Sequence, residues 1–181
     1  TVLVIDHHVP LYDQDAGSRS TFQYLKLLVS AGCNVKFLGD NFFRHEPYTA
    51  ELEAMGIEVL AGEYYRKNWK PWLESNPGYV DIIYLMRPHV AQRFLKGLSS
   101  LNEKPKLIYF GHDLHYLRLQ RQAKVEPSQG LEREAAVWKK REFQIFSEVD
   151  LIYYPSEAEV GEILKVEPSL PVKSIPLYCF D

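Results

Sequence analysis

The feature that most constrains the fold is a recurrence. Short, continuously apolar runs rich in β-branched residues alternate with stretches of helical periodicity along the whole chain. The first run, Val2 to Ile5, shows no polar alternation. A strand that is apolar on both faces must be covered on both, the condition of a parallel strand between two helical layers. Comparable runs follow at Val35 to Leu38, Ile57 to Leu60, Val80 to Leu85, Leu107 to Phe110, Leu151 to Tyr154 and Val172 to Ile175.

The intervening segments carry helix signals. Phe22, Leu25, Leu28 and Val29 share a face after a loop from His7 to Arg19, and Gly32 stops that helix. Tyr48 to Met55 makes a short helix closed by Gly56, and Trp69, Trp72 and Leu73 mark another that Pro77-Gly78 ends. Pro88-His89 opens a helix with Ala91, Phe94, Leu95, Leu98 and Leu101 on one face. A polar segment from Arg118 to Gly130 then leads into a helix of about twenty residues, whose Leu131, Ala135, Trp138, Ile145 and Phe146 turn inward. Ser156 and Glu159 have capping-box spacing at the start of the last helix. The expected fold is α/β: a doubly wound, mainly parallel sheet of about seven strands in a three-layer Rossmann-like sandwich, with residues 1–181 forming one domain.

Composition fits such a core. Apolar and aromatic residues make up 46% of the 181 residues, enough to bury roughly 70% of the unfolded surface. The 21 basic and 24 acidic residues leave a net charge of -3, which argues against a nucleic-acid backbone as the main partner. Cys33 and Cys179 have neither metal-knuckle nor dithiol spacing, which points to the reducing cytoplasm. No apolar run approaches the ~20 residues of a membrane span, and no signal peptide is legible. Thr1 already lies in a strand pattern and Tyr178 to Asp181 directly follow one, as expected of a domain cut from a longer polypeptide.

In an open parallel sheet, ligands sit beyond the carboxyl ends of the strands, where the strand order reverses. Three polar segments share that edge if the first strand is central: Asp6 to Ser18, then Arg87 with His89, then Gly111 to Asp113. Gly17 stands just before the first helix, either as a turn residue or as a place where a phosphate can approach helix N–H groups. Arg19 is placed to add a charge-assisted contact or to stay solvated. Neither the dinucleotide fingerprint nor the P-loop is present, so no nicotinamide or other cofactor is expected. Asp13-Gln14-Asp15 has the D-x-D spelling of metal and nucleotide sites, but acids in such a loop also cap helices and order turns. His7 and His8 extend the same loop without compact ligand spacing, and no metal is expected. His112, directly after a buried strand, is the best candidate for chemistry, since an ordinary imidazole titrates near 6.5 and suits proton transfer or a hydrogen bond to a reacting hydroxyl. Asp113 either orients it or caps the following turn; the bland reading of His112 is a buried histidine bonded to backbone.

Several segments, in order, carry a resemblance: Val2-Leu3-Val4-Ile5-Asp6-His7-His8-Val9-Pro10 with Asp13-Gln14-Asp15-Ala16-Gly17-Ser18-Arg19, then Gly32 to Leu38, Tyr48 to Leu60, Tyr109-Phe110-Gly111-His112-Asp113-Leu114-His115, and Val149 to Ser156. Together they resemble the N-terminal domain of a glycosyltransferase with the two-Rossmann-domain (GT-B) architecture, close to the retaining sucrose and mannosyl transferases. The resemblance implies a parent enzyme that moves a sugar from a nucleotide-sugar donor to a glycan or other hydroxyl acceptor. It places Asp13, Asp15, Gly17, Ser18, Arg19, Arg87, His89 and Asp113 around substrate or donor phosphate, and His112 near the reacting sugar. It also implies a C-terminal domain of the same polypeptide that holds most of the donor, and membrane-surface association if the acceptor is lipid-linked. The family's glycine-rich loop is reduced here to Gly17. A noncatalytic sugar- or nucleotide-binding module and a structural interaction domain remain alternatives on the same fold.

Overall fold

The structure, a computed structural model, is described for residues 1–177; Cys179 and the expectation for Tyr178 to Asp181 lie outside the described residues. Seven strands, β1 (Val2–Asp6), β2 (Val35–Gly39), β3 (Glu58–Val59), β4 (Ile82–Met86), β5 (Lys106–Phe110), β6 (Leu151–Tyr154) and β7 (Val172–Ser174), form one sheet in the order β3-β2-β1-β4-β5-β6-β7. Every pairing is parallel. The chain winds outward from β1 in one direction and from β4 in the other, so the strand order reverses between these two neighbours.

Seven helices connect the strands: α1 (Ala16–Ser30), α2 (Tyr48–Ala54), α3 (Glu63–Glu74), α4 (Pro88–Leu98), α5 (His115–Val125), α6 (Gln129–Ser147) and α7 (Glu157–Val166). Alternate strand residues feed two separate cores. Leu3, Ile5, Ile83, Leu85 and Tyr109 pack under α4, α6 and α7 through Phe94, Leu95, Phe146 and Ile163. Val4, Phe37, Tyr84 and Phe110 pack on the other face with Leu25 of α1 and Leu52 of α2. Burial on both faces of β1, where all five residues are buried, explains why its sequence carries no alternation. On the α1 face, Tyr84, Ile108 and Tyr153 line a groove of about 600 Å³ with Tyr24, Leu27 and Leu28.

Three local expectations are corrected. The first helix begins at Ala16, with Asp15 as its N-cap, so Gly17, Ser18 and Arg19 are first-turn residues and not loop. Its opening turns are held by tertiary contacts, with Ser18, Ser20 and Thr21 fully buried. Most of the polar stretch after Arg118 is helix α5, whose Tyr116, Leu117, Leu119 and Ala123 supply a narrow buried face. The capping box at Ser156 does not form: Ser156 is the N-cap of α7 without a side-chain bond, and Glu159 instead accepts from the Leu114 N–H at 2.8 Å. Gly32 and Gly56 do lie just past helix ends, with φ of +81° and +82°, as helix-terminating glycines should.

Candidate functional site

At the reversal point the carboxyl ends of β1 and β4 deliver Asp6 and Arg87 to each other. Asp6 is fully buried, and its Oδ1 accepts from Arg87 Nε at 2.8 Å and from the His7 N–H at 2.7 Å, while Oδ2 accepts from Thr21 Oγ1 at 2.7 Å. Burial alone would raise the Asp6 pKa; the His7 hydrogen bond and the Arg87 charge outweigh it and hold the carboxyl near about 2. Arg87 is one of two described non-glycine residues with positive φ, at 73°, a conformation kept only where the surroundings over-determine it. Its backbone N–H donates to Phe110 O at 3.1 Å, tying the β4 loop to the end of β5.

The guanidinium lies against the first turn of α1. A Cβ built on Gly17 would stand 2.6 Å from Arg87 Nη2. The missing side chain at Gly17 therefore makes room for Arg87 beside the first turn of α1. Arg87 Nη2 and Ser18 Oγ are both buried without a hydrogen-bond partner. Asp15 Oδ1 caps the Ser18 N–H at 2.8 Å and stands 3.9 Å from Arg87 Nη2. Asp13 accepts from Tyr48 of α2 at 2.6 Å, so the D-x-D pair is divided between two helices. Among the described residues, no three His, Cys, Asp or Glu side chains gather into a set that could hold a metal ion. Arg19 is exposed on the same turn.

His112 sits beyond β5 with neither ring nitrogen hydrogen-bonded. Its ring meets Phe110 edge to face at 5.0 Å. Burial, and next the Arg87 charge, lower its pKa to about 4. The lowered value makes the imidazole a weaker base and suits it to the second of the two expected roles, a hydrogen bond with a hydroxyl. The backbone-bonded reading of this histidine is excluded. Asp113 does not orient it. Its Oδ2 pairs with Arg118 Nη1 at 2.9 Å and its Oδ1 lies 3.8 Å from His115 Nδ1.

The loop carrying His112 is pinned from behind by residues that no local window would select. Gly111 N–H donates to Tyr153 O at 2.9 Å. Glu142 of α6, wholly buried, accepts from the N–H groups of His115 and Tyr116 at 2.9 and 3.0 Å, and Glu159 of α7 holds Leu114. Leu114, the N-cap of α5, has no side-chain acceptor of its own. These two distant carboxylates replace it.

No protein-family model matches the chain, and no curated protein matches it. Several solved structures do, among them the following two. One is an α-glucosyltransferase in complex with UDP and a 13-mer DNA containing a central A:G mismatch, at 11% identity and a TM-score of 0.48, covering 97% of this chain and 40% of that one. The other is an α-glucosyltransferase with UDP and a 13-mer DNA containing an HMU base, at 13% identity and a TM-score of 0.49, covering 96% of this chain and 41% of that one. The likeness is one of fold. The chain spans about two fifths of the length of the structures it matches.

The strand ends expected to share an edge do so: Asp15 and Gly17 stand against Arg87, Ser18 is bonded to Asp15, and the charges of Arg87, Asp6 and Asp15 all reach His112. His89, exposed, lies on the same edge, its ring 6.3 Å from that of His7. Sequence reasoning passed over Asp6 as a buried anchor and missed Glu142 altogether. A carboxylate at the end of an otherwise apolar strand was the legible signal for Asp6; Glu142 gave none. No helix of the described residues is long and apolar enough to cross a membrane.

Proposed function

We propose that this chain is the N-terminal, acceptor-side domain of a glycosyltransferase that moves a sugar from a nucleoside-diphosphate donor to a hydroxyl acceptor. The observation that supports the reading is the set of orphaned groups at one point of the sheet edge. Arg87 Nη2, Ser18 Oγ and both nitrogens of His112 are buried or nearly so without partners, beside the N-terminus of the 15-residue helix α1. Buried polar groups ordinarily find partners within the fold. A helix N-terminus with a guanidinium nitrogen that lacks a hydrogen bond suits the leaving diphosphate, and a neutral imidazole suits a sugar hydroxyl. The Asp15 carboxylate opposes an incoming phosphate while it caps α1.

In the transfer, the bond from the anomeric carbon to the diphosphate oxygen breaks, a bond to the acceptor oxygen forms, and the acceptor hydroxyl's proton passes to the departing diphosphate oxygen. This domain stabilises charge on the leaving group and positions the sugar; a C-terminal domain of the same polypeptide closes the other wall. The retaining sucrose and mannosyl transferases remain the family this reading favours, with the parent acting in the cytoplasm.

Titration of the 181-residue chain with UDP and GDP, followed by amide and imidazole NMR, tests the donor half. Shifts at Ser18, Arg87 and His112 are expected, weakened by Arg87→Ala and strengthened by Asp15→Asn, which keeps the cap and removes the charge. The isolated chain should not transfer sugar. The full-length parent should do so, with glycans and DNA among the acceptors screened, and His112→Ala should lower its kcat/KM about 10²-fold or more. Absence of nucleotide binding at α1 together with an inactive parent would leave the chain a binding or interaction module.

A further inference from the structure

All six histidines of the chain follow strands at their carboxyl ends: His7 and His8 after β1, His45 after β2, His89 after β4, and His112 and His115 after β5. Four of them form a row. Ring centroids are 6.3 Å apart between His89 and His7, 3.5 Å between His7 and His8, and 5.5 Å between His8 and His45. The row ends on Phe43, whose ring meets His45 edge to face at 5.1 Å. It starts beside the buried Asp6, to which His7 is bonded, and runs outward from the candidate donor site.

Phe43 is 63% exposed, and a lone exposed aromatic is by itself unremarkable in the statistics of surfaces. This one is held in place. Its predecessor Phe42 is buried and adopts a left-handed backbone, φ 54°, which costs free energy in a non-glycine residue and tends to mark functional segments. Asn41 Oδ1 accepts from the Phe43 N–H at 3.0 Å, and Asn41 Nδ2 lies 3.0 Å from His45 Nε2. The N–H groups of Asp40 and Asn41 bond the carbonyls of Asp6 and His7, fastening this loop to the first. The backbone thus turns one phenylalanine into the core and presents the next to solvent beside the imidazoles.

The chemistry of the row favours a neutral, hydroxyl-rich ligand. Burial holds His8 below the ordinary imidazole value, and a neutral imidazole offers one donor and one acceptor, as a sugar hydroxyl does. The neighbouring cations are engaged by carboxylates, Arg93 with Asp40 at 2.5 Å and Arg44 with Glu53 at 2.7 Å. A pyranose ring has a C–H face that suits the electron-rich face of a phenyl ring and a rim of hydroxyls that suits the imidazoles.

We propose that Phe43, His45, His8 and His7 form an acceptor subsite for a neutral pyranoside, with the C–H face of the sugar on Phe43 and its hydroxyls on the histidines. The assignment rests on the reading of this edge as the acceptor wall and deepens it by naming the acceptor class and the residues that select it.

The test is an NMR titration of the labelled chain, read at the imidazole nitrogens and the aromatic carbons, with methyl glucopyranosides, maltose, cellobiose and mannobiose, each up to tens of millimolar. Glucuronate serves as the anionic comparison and UDP is titrated separately. At least one neutral saccharide should shift Phe43, His45 and His8 together, and Phe43→Ala, at an exposed position, should weaken it about fivefold or more. The UDP shifts at Ser18 and His112 should survive that substitution. No response to any neutral saccharide, a response elsewhere only, unchanged affinity in Phe43→Ala, or binding of glucuronate alone would overturn the subsite; the last two would turn Phe43 into a protein contact and the row into an anion site respectively. Saccharide binding without UDP binding would overturn the donor reading and leave the subsite standing.

Discussion

Asp6 and Arg87, 81 residues apart in sequence, are joined by a 2.8 Å hydrogen bond from Nε to Oδ1 at the point where the strand order reverses. The bond closes one side of the guanidinium and leaves Nη2 directed to α1 without a hydrogen-bond partner, 3.9 Å from the Asp15 carboxylate. Removing the carboxylate strands a largely buried cation and frees Thr21 and His7 as well. Asp6→Ala should cost about 3–5 kcal/mol of stability, the range for breaking a buried ion pair from one side, measured by urea unfolding. A loss below about 1 kcal/mol would show that the anchor is dispensable. The double variant with Arg87→Ala should be less destabilised than the sum of the two single ones.

Gly17 separates the demands of stability and binding. Alanine there gains up to about 1 kcal/mol of helix propensity, yet its Cβ would stand 2.6 Å from Arg87 Nη2, which must move. Gly17→Ala should therefore leave the urea midpoint little changed while weakening UDP. Equal losses in both measurements would make Gly17 a packing residue alone.

Stability should fall as the pH drops from about 6.5 to about 4. The folded His112 is lowered to about 4, so its contribution is complete above the unfolded value and is lost as the pH falls toward the folded one. The full difference corresponds to roughly 3 kcal/mol. His8 and His89 act in the same direction. His115 acts oppositely: burial would lower it, but Glu142 and Asp113 raise it, so its contribution is lost at rising pH. Comparing His112→Gln with the parent sequence at pH 7 and pH 5 isolates the one histidine. The variant should lose less stability between the two values, and parallel losses would count against a depressed His112.

Glu142→Ala removes the acceptor of two N–H groups at the start of α5. A cost of about 2–4 kcal/mol is expected from orphaning them in a buried site, with faster amide exchange at His115 and Tyr116 than in β1. Glu142→Gln retains one acceptor and should recover part of both effects.

The sheet was legible because it is written in local chemistry. Seven apolar runs located seven strands to within a residue or two, and the fully buried β1 is the clearest of them. The start of α1 was not. Ser18, Ser20 and Thr21 are indifferent helix formers, and what holds them is tertiary: Thr21 bonds Asp6, and Ser20 Oγ donates to Leu177 O at 2.6 Å. Helix α5 was hidden for a related reason, since its N-terminus is capped from α6 and α7. The site shows the same division. The strand-end positions of His112, Gly17 and Arg87 could be read, because topology sends such segments to one edge. That Gly17 serves Arg87, that Asp113 serves Arg118, and that His112 is held uncharged all depend on packing across the sheet.

The outermost strands are the shortest, β3 with two residues and β7 with three. An exposed strand edge is a template on which another molecule can add its own backbone, and the hazard grows with the length of the edge. Either side of this sheet offers only a brief row of free amides and carbonyls, too short to register a second copy firmly. The brevity of the two edges, with exposed Glu58 on β3 and exposed Lys173 on β7, works against edge-to-edge polymerisation of the sheet.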